Sequence, residues 1–409
     1  MKQGWTYKKL GEVCTFSRGL TYSKKDEADV SDKVVLRSNN IDLATGLLDF
    51  SELKYLNKSF LIPEDKTVKK GSIFICMSNG SKAHLGKVAY IDKDYGYAFG
   101  GFMGLITPTS EIEGHYLHYI MSTPMYKDYI KSLSEGANIN NLKYNDLAEY
   151  PIKYPSLSEQ QRIVERLDSA FAHIDELKAN AEKQVNEARA LFQKALSKVM
   201  EPKEGWEEKV FTDICDVVTD FVAAGSFADL RKNVVYKELP DYAQLVRTTD
   251  LKHRFENKSF VYVNEHAFKY LYRVNLDEES IILPNVGVNC GEVYYLHPKM
   301  LPYKNNVLGP NAIMVRSHKY NNQFLSYLFL AKEMQVQLTH ITSSMAQPKF
   351  NKTNLKTIKL HLPSLSEQQR IVSRLDSLSE NVKALEENQR KVMAECDALK
   401  QALLRKVFE

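Results

Sequence analysis

The sequence predicts a mixed α+β/α/β chain: two tandem globular domains, each followed by a long helix, with the helices paired as an antiparallel coiled coil about a pseudo-twofold axis. Three observations predict it. Residues 155–169 read PSLSEQQRIVERLDS and residues 363–377 read PSLSEQQRIVSRLDS, one segment recurring at an offset of 208 with a single change, Glu165 against Ser373. The stretches between Pro155 and Pro202 and from Pro363 to Glu409 contain no internal Gly or Pro and place apolar residues every three or four positions. The remainder alternates short β-branched or aromatic runs with turn residues.

Residues 1–154 form the first globular domain. Strands are expected at 34–37, 72–77, 87–91 and 104–106, and a helix over 116–134 with a break at Pro124. Residues 204–362 form the second, with strands expected at 244–247, 258–263, 280–283, 292–296 and 312–316 and a helix over 323–338. Faint echoes tie the two together. Gly4-Trp5 through Cys14 parallels Gly205-Trp206 through Cys215, Arg37 in VLRSNNI parallels Arg247 in LVRTTDL, and LGKVAYI parallels CGEVYYL. The helices agree where the globular parts diverge, which suits one shared task performed twice and two versions of a variable one.

The helical segments occupy 155–203 and 363–409. Ser158 and Ser366 are candidate N-caps, with Gln161 and Gln369 as their capping-box partners. At 1.5 Å per residue each helix would run roughly 65 Å, longer than a small domain is wide, so the apolar stripes are expected to bury one another. Ile163, Leu167, Ile174 and Leu177 are the expected pairing residues of the first helix, and Ile371, Leu375, Leu378 and Leu385 those of the second. Antiparallel pairing would place a globular reader at each end of a rigid ruler.

At 409 residues, 44% hydrophobic and 26% charged, the chain is long enough for two or three globular domains and is not a disordered polymer. No apolar run reaches the roughly 18 residues of a spanning helix and no apolar signal region opens the sequence, so a cytoplasmic protein is expected. Five separated cysteines without a CxxC pair point to reduced, mostly buried thiols. The net charge of +4 divides as 20 basic against 18 acidic residues in 1–154, 19 against 17 in 204–362, and 8 against 8 in each helix. The excess therefore lies in the globular parts, where a phosphate-facing surface or scattered solvated charges give the same sum.

Catalytic motifs are not found. Gly80 to Lys87 resembles a phosphate loop, but five residues separate its glycines and Val88 stands where Ser or Thr is needed. Pro63-Glu64-Asp65-Lys66 reads as a charged turn, and His115 with His118 as a surface turn. There is no HExxH, GxSxG or GxGxxG, and no Asn-Pro for the base-holding loop of an adenine methylase. No catalytic residue and no metal ligand is assigned.

Two variable globular domains, each followed by a helix opening on Pro-Ser-Leu-Ser-Glu-Gln-Gln-Arg-Ile-Val, resemble the specificity (S) subunit of type I restriction-modification systems over the whole chain. The resemblance implies a non-catalytic subunit whose target recognition domains each read half of a bipartite double-stranded DNA site, while the helices set the spacer and dock methyltransferase (M) subunits, two being expected. It implies no cofactor on this chain. S-adenosylmethionine, ATP and Mg would belong to the M and restriction (R) subunits, for adenine-N6 methylation and ATP-dependent cleavage. The specificity subunit of a system with a fused methylase-nuclease, and a non-DNA scaffold of two modules, are the alternatives.

Base edges are read by Arg, Lys, Asn and Gln on loops. The candidate DNA-contacting residues are Arg18, Lys24, Arg37, Asn39, Asn40, Asn79, Lys82, Asn138 and Asn141 in the first domain, and Arg247, Thr248, Lys252, Arg254, Asn285, Asn289, Gln347 and Lys349 in the second. Arg37 and Arg247 rank first because they occupy equivalent places.

Overall fold

A computed structural model describes residues 4–43, 45–134, 141–257, 259–343 and 347–409. Two compact units divide the chain: Met1–Glu182 with Gln389–Glu409, and Lys183–Asn388. Each unit thus holds one globular domain, the start of the helix that follows it, and the end of the other helix.

In the first unit, Thr6–Lys9 pairs antiparallel with Pro151–Tyr154, so the strand that enters the domain lies beside the one that leaves it. The central antiparallel sheet has the order Cys14–Arg18, Met103–Pro108, Ile73–Cys76, Val88–Tyr90. Its inner strand reads Ile-Phe-Ile-Cys and is buried throughout, which explains a continuous apolar run rather than alternation. A second sheet runs Glu27–Ala28, Lys54–Leu56, Lys33–Leu36, Ala98–Phe99, its last pair parallel. Gly114 opens the helix Gly114–Ile120 against the turn at Gly71. A Cβ there would lie 2.0 Å from the Gly71 carbonyl oxygen, so only glycine allows the approach.

The second unit repeats this plan. Glu207–Val210 pairs with Lys359–Leu362, and the central sheet runs Val217–Asp220, Ala312–Arg316, Ser280–Pro284, Tyr294–Leu296. The smaller sheet again holds a parallel pair, Ala243–Val246 with Asn306–Leu308. Of the expected strand over 258–263, whose first residue lies outside the described residues, Tyr262–Val263 is strand, and the expected helix over 323–338 is two helices, Asn322–Leu330 and Lys332–Ile341. The break at Ala331 stands 208 residues after the one before Pro124, where Gly114–Ile120 gives way to Pro124–Ser134. Proline therefore marks this corner in one domain but does not create it. The cysteines carry no disulfide, and all but Cys290 are buried.

Helices Leu157–Met200 and Leu365–Phe408 are each 44 residues long. Antiparallel pairing is visible inside each unit. In the first, Asp175 meets Lys400 at 2.5 Å and Lys178 meets Asp397 at 2.9 Å, one helix rising as the other falls. In the second, Arg189 meets Glu386 at 2.7 Å in the same register. The helix ends complete the cores: Leu404 and Phe408 pack among Leu10, Tyr116 and Leu167, and their equivalents Leu196 and Met200 pack among Phe211, Phe324 and Leu375. Ile163, Leu167, Ile371 and Leu375 accordingly face these composite cores and not a bare helix seam. Ile174 is buried, and Leu378 and Leu385 are half-buried. Leu177, expected in the seam, is 56% exposed, because it lies on the solvent side of the stripe that Ile174 and Ala181 bury.

The capping expectation moves by two residues. Each helix begins at Leu157 or Leu365, so the caps are Ser156 and Ser364. The Glu367 N–H donates to Ser364 Oγ at 3.4 Å, while Ser158, Ser366, Gln161 and Gln369 lie within the first turns. The neighbouring glutamines have another task. Gln160 is fully buried; its amide donates to the carbonyls of Pro155 (3.0 Å) and Glu111 (3.0 Å) and accepts from the Glu113 N–H (2.8 Å). Gln368 repeats this, donating to the Pro363 carbonyl (2.9 Å) and accepting from the Asn321 N–H (3.1 Å).

Candidate nucleic-acid interface

Each globular domain opens a cleft at the same place in its frame: the end of the first central-sheet strand, the loop after the third, and the tip before the second. In the first domain it encloses about 790 Å³ and is lined by Arg18, Tyr22, Arg37, Asn39, Asn79 and Phe102 among others. Backbone packing builds it. The Gly19 and Leu20 N–H groups donate to the Met103 and Phe99 carbonyls, and a Cβ on Gly19 would lie 2.0 Å from the Gly100 oxygen. This crossing presents Arg18 on one side and the Phe102 tip on the other. Phe102 is 72% exposed, held by its carbonyl, which accepts from the Met77 and Ser78 N–H groups.

Polar lining residues are oriented by neighbours. Arg37 donates to Glu52 at 3.0 Å, Asn79 donates to Ser38 Oγ at 3.1 Å and accepts from the Ser81 N–H, and Asn39 is exposed beside the Glu52 carbonyl. Arg18 makes no ion pair with the described residues; burial raises the Tyr144 phenol and the charge of Arg18 opposes that shift. Asn40 is a correction. It is 1% exposed and saturated, donating to the Asp49 and Glu52 carbonyls and accepting from the Arg37 N–H, so it holds the loop and cannot reach a base. Lys24 and Lys82 are exposed in 3-10 turns outside the cleft lining. Asn141 is exposed and bridges Ser78 through its backbone, and Asn138 lies outside the described residues.

In the second domain the cleft holds about 660 Å³ and its lining is largely apolar: Phe221, Val222, Phe227, Val235, Tyr236 and Val286, with Asn285, Arg231 and Asn311. Of the candidates, Asn285 lines this cleft, and Lys252, Asn289, Gln347 and Lys349 gather around the loop Asn285–Gly291 that follows it. Val286 bridges Lys349, the Gly287 N–H donates to the Pro348 carbonyl beside Gln347, and Lys252 donates to Asn289 Oδ1 at 2.7 Å. The Val286–Lys349 bridge stands 208 residues after Ser78–Asn141. Asn285 is fixed to the Phe350 carbonyl at 2.9 Å.

Arg247 is held more tightly than its counterpart Arg37. Its guanidinium is drawn onto Asp250, which is fully buried, at 2.8 and 3.1 Å, and onto the Ser259 carbonyl; bonding to Asp250 raises the already high pKa of Arg247. The same carboxylate accepts from the Arg247 N–H at 2.9 Å, as Asn40 does from Arg37. The equivalence of the two arginines is therefore one of fold, a strand end capped by a buried side chain three residues on. Thr248 begins the helix Thr248–Lys252, and Arg254 follows it in left-handed backbone (φ 51°), exposed and outside the cleft lining.

Residue type alone does not mark Phe102 or the segment Phe221–Tyr236 as cleft lining, because most base-edge contacts use hydrogen-bonding side chains; the glycine pair before Phe102 is the one local signal in the sequence. The remaining motifs are structural. Glu64–Lys66 is a charged turn. His115 and His118 lie on a helix, not a surface turn: His115 stacks between Tyr90 and Tyr119 at 4.7 and 4.8 Å, and His118 is buried. Among the described residues no group of three His, Cys, Asp or Glu is placed to hold a metal ion, and no helix is long and apolar enough to cross a membrane.

Residues 2–187 and 203–394 match the family described as type I restriction modification DNA specificity domain. The chain belongs to this family. It is similar to the StySPI type I restriction enzyme specificity subunit of Salmonella potsdam (27% identity, spanning all of this chain and 89% of that one) and to the EcoKI specificity subunit of Escherichia coli K12 (25%, with the same coverage). Its fold is similar to a chain from a solved structure described as the structural basis of complex assembly and conformational transition of the type I R-M system (TM-score 0.75, 19% identity, 99% and 98% coverage). It is also similar to the HsdS subunit from Thermoanaerobacter tengcongensis (TM-score 0.55, 19%, 100% and 97%). The two matched segments of the specificity family each contain one cleft and the opening of the helix that follows.

Proposed function

We propose that this chain is the DNA sequence-recognition subunit of a type I restriction-modification complex, each globular domain reading one half of a bipartite target and the paired helices setting the spacer and docking methyltransferase subunits. The observation that carries it is the pair of clefts. They open at equivalent strand ends of a duplicated frame yet are lined by different chemistry, as two readers of different half-sites require. Arg18 and Arg37 suit the O6 and N7 acceptors of guanine, and Asn39 and Asn79 suit the N6 and N7 edge of adenine. The chain contributes recognition and no bond-making step. In this reading methyl transfer from S-adenosylmethionine and ATP- and Mg-dependent cleavage belong to M and R subunits. Co-expression with a methyltransferase subunit, followed by genome-wide mapping of N6-methyladenine, tests it: two short specific elements separated by a fixed non-specific gap are expected. A single contiguous element, or no sequence-specific methylation, would overturn it.

A further inference from the structure

We infer that the second domain's cleft reads the C5-methyl groups of thymine, with Phe227 and Val235 as specificity-determining residues. The inference rests on the proposed function and adds the chemistry of one half-site. The segment that builds this cleft is extra: between the equivalent strand ends and Arg37 or Arg247, the second domain is eight residues longer (Arg18 to Arg37 against Asp220 to Arg247). It folds as the helix Phe227–Asn233, where Leu230 and the following Val234 bury into the core beneath the cleft and form part of its floor, while Phe227 and Arg231, four apart, line it with exposed side chains. Phe227 is 75% exposed and Val235 58%, so both present apolar surface to whatever enters.

Charge selects the occupant. Arg231 and Lys232, in the last turn of that helix, are exposed and make no ion pair with the described residues, whereas the acidic lining residue, Asp220, is neutralised by Lys352 at 2.9 Å. Apolar surface beside uncompensated cations suits a polyanion bearing apolar groups. In the DNA major groove the one apolar group on a base edge is the thymine methyl, and Phe is among the side chains that contact it. The equivalent tip position completes the contrast, Phe102 in a polar cleft and Asn311, in left-handed backbone (φ 67°), in the apolar one.

The test uses the reconstituted methyltransferase complex and duplexes carrying its mapped site, with thymine replaced by deoxyuridine in one half at a time. One half-site is expected to lose affinity about fourfold per methyl removed. In complex carrying Phe227→Ala, whose exposed side chain leaves the fold intact, that half should no longer respond to deoxyuridine. The other half responds to neither change. A second-domain half-site without thymine, or equal affinity for thymine and deoxyuridine in an otherwise intact bipartite site, overturns the inference and leaves the proposed function standing. Absence of any bipartite specificity removes the proposed function itself. Phe227→Ala that abolishes methyltransferase co-purification without altering DNA preference makes the cleft a protein-docking face and overturns the inference.

Discussion

Two arginines in equivalent positions have different freedoms, and this decides which substitutions report on recognition. Arg247→Ala strips a fully buried carboxylate of its cation, leaving the Asn257 amide and backbone N–H as partners. Breaking such a pair costs roughly 3 kcal/mol, the low end of the range since Arg247 is itself a third exposed. Thermal denaturation of Arg247→Ala should therefore show a destabilised second domain, and an unchanged transition would contradict the assigned role. His118 offers a pH readout. Burial first, then the charge of His115, lower its pKa to about 4, against a smaller opposing contribution from the Gly46 backbone. The folded state resists protonating it while the unfolded chain titrates near pH 6.5, so stability is full above that value and falls as the pH drops towards 4, by up to about 3 kcal/mol. His118→Leu should flatten the acid limb of stability between pH 6.5 and 4; an unaltered limb would place the pH dependence elsewhere.

At the scale of elements, the duplicated Glu-Gln at each helix start is a staple. Gln160→Ala leaves buried groups of Pro155, Glu111 and Glu113 without partners, and Gln368→Ala does the same to Pro363 and Asn321, at about 1–3 kcal/mol for each unsatisfied group. Hydrogen exchange should rise at 111–116 in the first variant and at 319–324 in the second, and neither effect should appear in the other domain. The helix ends give the reciprocal result. Phe408→Ala, costing about 3–5 kcal/mol, should loosen the core around Tyr116 rather than the domain adjacent in sequence, a pattern that only antiparallel helices produce. The long helices were legible because 44 residues of periodic apolar spacing without Gly or Pro admit one reading. Thr6–Lys9 and Glu207–Val210 were not, since strands of four mostly polar residues carry no alternation and are specified by their partners across the domain. The corner at Ala331 was hidden for the converse reason: where its counterpart carries Pro124, Lys332 carries no local signal and tertiary packing sets the break.

For the whole molecule, the repeat placed the clefts within reach of sequence reasoning but not their lining. Arg18, Arg37, Asn39 and Asn79 converge because three separated loops meet at one end of a sheet. Phe227 and Tyr236 could not be distinguished from core aromatics until the fold left them uncovered. Under the proposed function each cleft reads its own half-site independently. This independence is tested most directly by comparing genome-wide N6-methyladenine maps from complexes carrying the wild-type chain and Arg18→Ala, a substitution at an exposed side chain that leaves stability unchanged. One element of the bipartite motif should become degenerate at one or two positions while the other element and the spacer keep their identity. Degeneracy spread over both elements, or a uniform loss of methylation at all sites, would contradict independent reading.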